Sequence, residues 1–138
     1  MRRMNLFWLL VVLAVLGLGY VRLAPSDPAR WHVAPAGDAD KDFQSGVLRV
    51  VETGPDGLER FDAIAIHAPR TRVLAGSVED GMVTYVTRTK VMGFPDYTTA
   101  VQDGGTLRIL ARSRFGRSDL GVNKQRIDGW LGRLQAGG

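Results

Sequence analysis

Hydrophobic residues divide the chain into a continuous apolar run near the N-terminus and a mixed remainder. Residues 4–21 form 18 consecutive positions without a charged side chain. A helix of this length, rising about 1.5 Å per residue, spans about 27 Å, close to the hydrocarbon core of a bilayer at roughly 30 Å. Trp8 and Tyr20 lie near its two ends, where aromatic rings prefer the headgroup region. The pattern predicts a transmembrane anchor over residues 1–23, with residues 4–21 in contact with the lipid bilayer.

A cleaved signal peptide is the alternative interpretation of this run. It requires a shorter apolar stretch followed by a site with small residues at two spaced positions. The segment Gly17-Leu18-Gly19 offers small residues, but it lies inside the apolar run rather than beyond it. The polar residues 22–28 contain no Ala-x-Ala. An uncleaved anchor is therefore favoured.

The charges that flank the run predict its orientation. Arg2 and Arg3 precede it, whereas Arg22 and Arg30 behind it are diluted by several aspartates. Cytoplasmic flanks of membrane helices carry the excess of Lys and Arg. The N-terminus is expected in the cytoplasm and the rest of the chain outside it.

Residues 24–46 are rich in Pro, Asp and Ala and show no periodicity, which is typical of a linker. Trp31 and Val33 are its expected points of contact with the domain that follows. The Asp38-x-Asp40-x-Asp42 spacing resembles a calcium loop, but Phe43 stands where that loop needs Gly and Arg49 where it needs Glu. The calcium hypothesis fails at both positions.

Residues 47–134 have the pattern of one α+β domain. Residues 47–51 suggest a short strand, and apolar residues recur at three and four over residues 58–65, which predicts a helix that Pro69 ends. Four β-like segments follow, separated by glycine-containing turns: 71–78, 82–91, 97–101 and 106–115. Residues 120–134 carry an apolar helical stripe, with Asp119 or Ser118 as the cap. These elements predict a four-stranded antiparallel sheet with two helices packed on one face, and residues 135–138 as a disordered tail.

Composition excludes several classes of function. The formal charge is +4, but residues outside the anchor hold 15 basic and 14 acidic side chains, so no nucleic-acid partner is expected. The absence of cysteine excludes disulfides, thiolate metal sites and a cysteine nucleophile. Two histidines, His32 and His67, leave little material for a metal site, and no phosphate-loop, dinucleotide or haem motif is present. We expect no metal and no cofactor.

The stretch from Arg112 to Ile127, with its Ser-Arg-x-Gly-x-Ser-Asp-Leu-Gly-x-Asn core, is distinctive. Together with Pro69-Arg70-Thr71 and the turn at residues 93–97, it resembles a bacterial family with plastid relatives, catalogued as domain of unknown function 1499. Many members carry an acidic pair after the Gly-Phe turn, whereas this chain has only Asp96, followed by Tyr97. The resemblance implies no activity. A bacterial origin would place the anchor in the inner (cytoplasmic) membrane as a single pass, with the domain facing the periplasm.

The junction of the last strand and the last helix is the candidate ligand-binding site. Its residues are Arg88, Asp96, Ser113, Arg114, Ser118, Asp119, Asn123 and Arg126. The amides of the helix N-terminus and nearby arginines suit a carboxylate or phosphate. The structural interpretation is that Asp119 caps the helix while Asn123 and Arg126 bind it to the loop. The structural interpretation is favoured, because a capping carboxylate already occupies the positive end of the helix dipole.

Two functional hypotheses follow. The first is a non-enzymatic, membrane-anchored accessory or binding domain that binds an anionic ligand, a lipid headgroup or a membrane-protein partner. The arginine-rich face of the last strand would suit anionic headgroups, but a solvated sheet face is the favoured interpretation of it. The alternative is a small hydrolase or lipid-modifying enzyme in which Asp96 and Asp119 act with Arg114. No residue is assigned as catalytic, because no nucleophile motif is present.

Overall fold

The computed structural model describes residues 2–115 and 119–137 of the protein. Helices and strands follow one another along the chain in this order: α1 (Arg2–Leu23), α2 (Pro28–Trp31), β1 (Lys41–Phe43), β2 (Gly46–Glu52), α3 (Gly57–Ala65), β3 (Thr71–Ser77), β4 (Met82–Arg88), β5 (Pro95–Asp103), β6 (Thr106–Ser113) and α4 (Val122–Gly137). The α+β class and the N-terminal apolar helix are confirmed.

The sheet has six antiparallel strands in the order β1-β2-β6-β5-β4-β3. The predicted four-stranded sheet is therefore wrong in its strand number. β2 pairs with β6 along its whole length, from Gly46 opposite Arg112 to Glu52 opposite Thr106, and β1 then pairs with β2. Gly46 permits this close approach, because a Cβ atom there would collide with the carbonyl oxygen of Ala111.

The main core lies between one face of the sheet and helices α3 and α4, as predicted. Phe61 of α3 forms edge contacts with Tyr85 of the sheet and with Trp130 of α4, at centroid distances of 6.1 and 5.7 Å. Tyr85 also donates to the carboxylate of Asp62 at 2.6 Å, which fixes α3 to the strand beneath it. Residues 135–137, predicted as a disordered tail, continue helix α4.

The segment before β1 covers part of the opposite face of the sheet. Trp31 in α2 is buried and stacks on Tyr97 at 4.1 Å between ring centroids and an interplanar angle of 14°. Its carbonyl oxygen accepts hydrogen bonds from Arg112 at 2.6 Å and from Thr99 at 3.2 Å. The predicted contact through Trp31 is confirmed, whereas Val33 is 53% exposed and the prediction for it is wrong.

The C-terminal end of α1 meets one end of the domain, which we call the α1 end. It comprises the end of β4, the turn of residues 89–94, the start of β5, and Phe115 after β6. Arg22 donates to the carbonyl oxygens of Met92 and Val91 at 3.2 and 3.0 Å, and Arg88 donates to that of Val21 at 3.3 Å. Helix and domain are therefore joined by side chains from both partners.

Helix α1 has the length and composition needed to cross a membrane. An 18-residue window within Asn5–Leu23 has a mean hydropathy of 2.2, and none of that window is buried inside the protein. Its apolar side chains consequently have no protein core to cover them within the part of the chain that the structure describes.

Candidate functional site

Asp96 lies at the centre of a buried polar network on the helix side of the sheet. It is 2% exposed and lies directly opposite Ser113 in the pairing of β5 with β6. The Ser113 hydroxyl donates to Asp96 Oδ1 at 2.7 Å, and Arg126 donates from Nη1 and Nη2 to Oδ2 at 3.2 Å each. Both carboxylate oxygens therefore have donors, as a buried charge requires.

Asp119 continues the network at the start of α4. Its Oδ1 accepts the Gly121 amide at 2.9 Å, and its Oδ2 accepts the Asn123 amide at 3.2 Å and Asn123 Nδ2 at 2.9 Å. The same Nδ2 donates to Ser113 Oγ at 3.1 Å, so Asn123 connects Asp119 to the pair of Ser113 and Asp96. The predicted role of Asp119 as the helix cap is confirmed.

The chain reverses direction just before α4, which explains where the helix begins. Leu120 and Gly121 have φ of 54° and 78°, in the left-handed region. The Gly121 position tolerates this geometry because glycine has no Cβ. The helix accordingly starts at Val122, two residues later than the hydrophobic pattern predicts, and the Asp119 side chain bonds the amides that the first turn leaves free.

Burial is the main electrostatic influence on Asp96. It raises the pKa of this carboxyl above its ordinary value, while the hydrogen bond from Ser113 and the guanidinium of Arg126 oppose the rise. The Asp119 carboxylate adds a smaller push in the upward direction. The site thus tolerates a protonated Asp96 better than an exposed aspartate site would.

A concavity of about 190 Å³ opens beside this network. Polar and apolar side chains share its lining: Thr89, Phe94, Asp96, Ser113, Phe115, Asp119, Leu120 and Val122. Among the described residues, the two charged groups that line it are both carboxylates. The geometry at this position therefore gives no support to an anionic ligand held by arginines.

Five of the eight predicted site residues come together: Asp96, Ser113, Asp119, Asn123 and Arg126. Arg114 and Arg88 do not join them. Arg114 donates to the carbonyl oxygen of Pro25 at 2.9 Å and to Tyr97 Oη at 3.4 Å, on the Trp31 side of the sheet. Arg88 bonds Val21 and Gly93 at the α1 end. Ser118 lies outside the described residues.

The arginines of β6 bind the segment that precedes β1. Arg112 bonds the Trp31 carbonyl, and Arg108 donates to the carbonyl oxygen of Gly37 at 3.1 Å and to Asp103 at 2.8 Å. The guanidinium of Arg112 also lies 5.3 Å from the centroid of the Trp31 ring. These side chains therefore hold the chain in place, and the expectation of a solvated face is wrong for Arg112.

A second polar cluster, which the sequence analysis missed, joins β1, β2 and α4. Arg49 is buried and pairs with Asp128 at 2.9 Å and with Asp42 at 2.8 Å, while Lys124 reaches Asp42 at 2.9 Å. Lys124 and Arg49 together lower the pKa of Asp42. The Asp38-x-Asp40-x-Asp42 spacing resembles that of a calcium loop, but Asp42 pairs with the cationic side chains of Arg49 and Lys124. Over residues 2–115 and 119–137, no group of three or more His, Asp or Glu side chains is arranged to hold a metal ion.

The apolar lining of the concavity was also missed. Phe115 continues the alternation of β6 on the same side as Ser113, and Phe94 precedes Pro95 and Asp96, so both positions were visible in the sequence. The sequence did not show that Phe94 and Phe115 lie close together, because their proximity depends on how the turn of residues 89–94 folds beside the end of β6. The two rings lie 6.2 Å apart.

Comparison with known protein families gives a match over most of the chain. The model of a family described as a protein of unknown function (DUF1499) matches residues 21–134. No curated protein and no solved structure matches the chain.

Proposed function

Because the chain belongs to the DUF1499 family, whose description assigns no activity, we propose a function from its own geometry: a binding or accessory domain held at a membrane surface by an uncleaved single-pass helix. α1 spans the inner membrane with its N-terminus in the cytoplasm, and residues 24–137 face the periplasm. The observation that carries this proposal is the set of contacts between the last turn of α1 and the domain.

These contacts favour a retained helix over a signal peptide. A signal peptide is removed, so nothing in the mature domain needs to recognise its end. Here Arg88 bonds the carbonyl oxygen of Val21, and the ring of Phe115 meets that of Tyr20 at 6.3 Å in an edge contact. Arg22 reaches in the opposite direction, to the turn of residues 89–94. The helix end is thus built into the domain.

The polar network supports a structural role more than an enzymatic one. A carboxylate that acts as a general base must reach the proton it abstracts. Both oxygens of Asp96 accept hydrogen bonds from Ser113 and Arg126, and those of Asp119 serve α4. Arg114, the third group of the enzymatic hypothesis, lies on the other side of the sheet. The five-residue network is best explained as the connection that fixes α4 to the sheet.

The surroundings of the α1 end support contact with lipid headgroups. Arg22, Arg88 and Lys90 all lie at this end, next to the point where α1 would leave the bilayer. Basic side chains within a Debye length of an anionic leaflet are attracted to it, each by about 1 kcal/mol. The proposed ligand class is therefore anionic phospholipid, met at this end rather than at the N-terminus of α4.

Orientation is tested by a reporter fusion. Alkaline phosphatase joined after Gly138 is expected to be active, because the positive-inside rule places this end of the chain outside the cytoplasm. The same enzyme joined after Arg3, ahead of the apolar helix, should be inactive. An inactive fusion at Gly138, together with an active cytoplasmic reporter at the same position, would contradict the proposed orientation.

A further inference from the structure

We propose that the turn between β4 and β5, residues 89–94, inserts Val91 and Met92 into the membrane interface as a second contact beside α1. This inference rests on the proposed function, since it requires α1 to span the bilayer. It adds that the domain lies against the membrane with a fixed face, rather than extending from it on a flexible tether.

The position of the turn is set by Arg22. This residue belongs to the last turn of α1, and its guanidinium donates to the carbonyl oxygens of both Val91 and Met92. The tip of the turn therefore lies within one side-chain length of the helix end. If residues 4–21 occupy the hydrocarbon core, residues 91 and 92 lie at the depth of the headgroups or just below them.

The turn is closed by its own hydrogen bonds. The Thr89 amide donates to the carbonyl oxygen of Phe94 at 2.9 Å, the Gly93 amide donates to that of Thr89 at 3.1 Å, and the Phe94 amide donates to Thr89 Oγ1 at 2.9 Å. Gly93 has a φ of 71°, and its missing side chain leaves room for Arg22, whose Nε would lie 3.1 Å from a Cβ atom there. The turn is thus a defined structure that holds its tip outward.

The tip presents apolar side chains, whereas an exposed turn of a soluble protein usually carries polar ones. Val91 is 76% exposed and Met92 is 40% exposed. Single exposed hydrophobic residues are common on soluble proteins. Here, however, the two are adjacent, follow the exposed Lys90, and are hydrogen-bonded through their carbonyl oxygens to Arg22 at the end of α1. An apolar tip with basic neighbours is the combination that suits an anionic bilayer surface.

Continuity with α1 favours the bilayer over a protein partner as the occupant. Aromatic rings lead from the helix to the turn, because Tyr20 contacts Phe115, which in turn lies 6.2 Å from Phe94. Aromatic side chains concentrate at the membrane–water interface. The rings therefore connect the end of the helix to the turn that carries the apolar tip, and a bilayer that surrounds the helix lies next to both.

Site-specific fluorescence tests the inference on the full chain. The protein has no cysteine, so Val91→Cys gives a single position for an environment-sensitive label. Three matched variants complete the set: Val33→Cys, apolar and exposed; Asp80→Cys, in the turn at the opposite end of β4; and Val12→Cys, in the middle of α1. Each is reconstituted in vesicles of phosphatidylcholine and phosphatidylglycerol, with and without lipids that carry a nitroxide quencher at a shallow or a deep position.

The label at position 91 is expected to emit at shorter wavelength than those at 33 and 80, and to be quenched several-fold more strongly by the shallow nitroxide. The label at position 12 should respond most to the deep nitroxide. If 12 is quenched but 91 behaves like 80, the helix spans the bilayer and the inference is wrong. A blue-shifted but unquenched label at 91 would show that this position is buried against protein rather than lipid and would also overturn the inference. If 12 is not quenched, the proposed anchor itself is wrong.

Discussion

Replacement of Asp96 with alanine is expected to lower the free energy of unfolding by about 3–5 kcal/mol, because it leaves the partly buried Arg126 guanidinium and the Ser113 hydroxyl without their acceptor. Asp96→Asn should cost much less. Burial raises the pKa of Asp96, so a neutral side chain of the same shape fits the site better than at an exposed position. Chemical unfolding of the full chain in detergent micelles gives the free energy of unfolding of both variants.

An exposed ion pair supplies the control for this comparison. Asp103 pairs with Arg108 at 2.8 Å, but its side chain is largely exposed, so Asp103→Ala should change the free energy of unfolding by no more than about 1 kcal/mol. If Asp96→Asn were as damaging as Asp96→Ala, the negative charge itself would be required. The ion pair with Arg126, rather than the shape of the side chain, would then hold α4 to the sheet.

The difference in stability between the native protein and Asp96→Asn is expected to depend on pH. A carboxyl whose pKa is higher in the folded protein than in the unfolded chain binds its proton more readily when folded. Its contribution to stability is therefore complete below its ordinary pKa of 3.8 and is lost as the pH rises through the raised value. The stability advantage of the native protein over Asp96→Asn should shrink from acidic to neutral pH. An advantage that grows over this range would contradict the direction of the shift.

Trp31→Ala is the second substitution with a large expected effect. It removes the ring that stacks on Tyr97 and leaves a cavity over the sheet, a change that typically costs about 3–5 kcal/mol. Trp31→Phe retains part of the stack and should cost less. The measurement is again the midpoint and slope of chemical unfolding.

Val33→Ala is the matched change in the same segment. Val33 is exposed, so its replacement should alter the free energy of unfolding by less than about 0.5 kcal/mol. If Trp31→Ala unfolded like the native protein, residues 24–38 would be a loosely held linker and the contacts of Arg112 would contribute little. A large loss of stability in Trp31→Ala and a small one in Val33→Ala would instead show that this segment is part of the folded domain.

Periodicity in the sequence predicts those elements whose burial follows a simple repeat. The apolar residues of α3 and α4 recur at three and four, and those of β6 alternate, so their shared core face could be predicted. The last turn before α4 could also be predicted, because an aspartate ahead of an apolar stripe is a common cap. In each case neighbours in sequence decide the structure.

β1 was missed because charged residues interrupt its pattern, and the short strand predicted over residues 47–51, which lies within β2, was not placed in the sheet. Arg49 points toward α4 in the middle of β2, and it is tolerated there only because Asp128 and Asp42 neutralise it. Asp128 is 79 positions away in the sequence, so no local pattern reveals the pair. The sequence therefore indicates a strand around Arg49 but not its place in the sheet beside β6.

The candidate site likewise combines contacts that are local in sequence, which could be predicted, with contacts between distant residues, which could not. Asp119 and Asn123 are four residues apart, and their contact follows from the capping of α4 by Asp119, which is local in sequence. The pairing of Asp96 with Ser113 depends on the register of β5 against β6, which the sequence does not specify. The position of Arg114 on the opposite face follows from alternation along β6, and that alternation already separates it from Ser113.

The central claim is that α1 stays attached and holds the domain at the bilayer, and the intact mass of the protein recovered from membranes tests it most directly. The claim predicts that detergent, but not alkaline carbonate, releases the protein from membranes, and that its mass is that of the whole 15.1 kDa chain. A shorter species that is released without detergent, with a new N-terminus between Gly17 and Pro25, would contradict it.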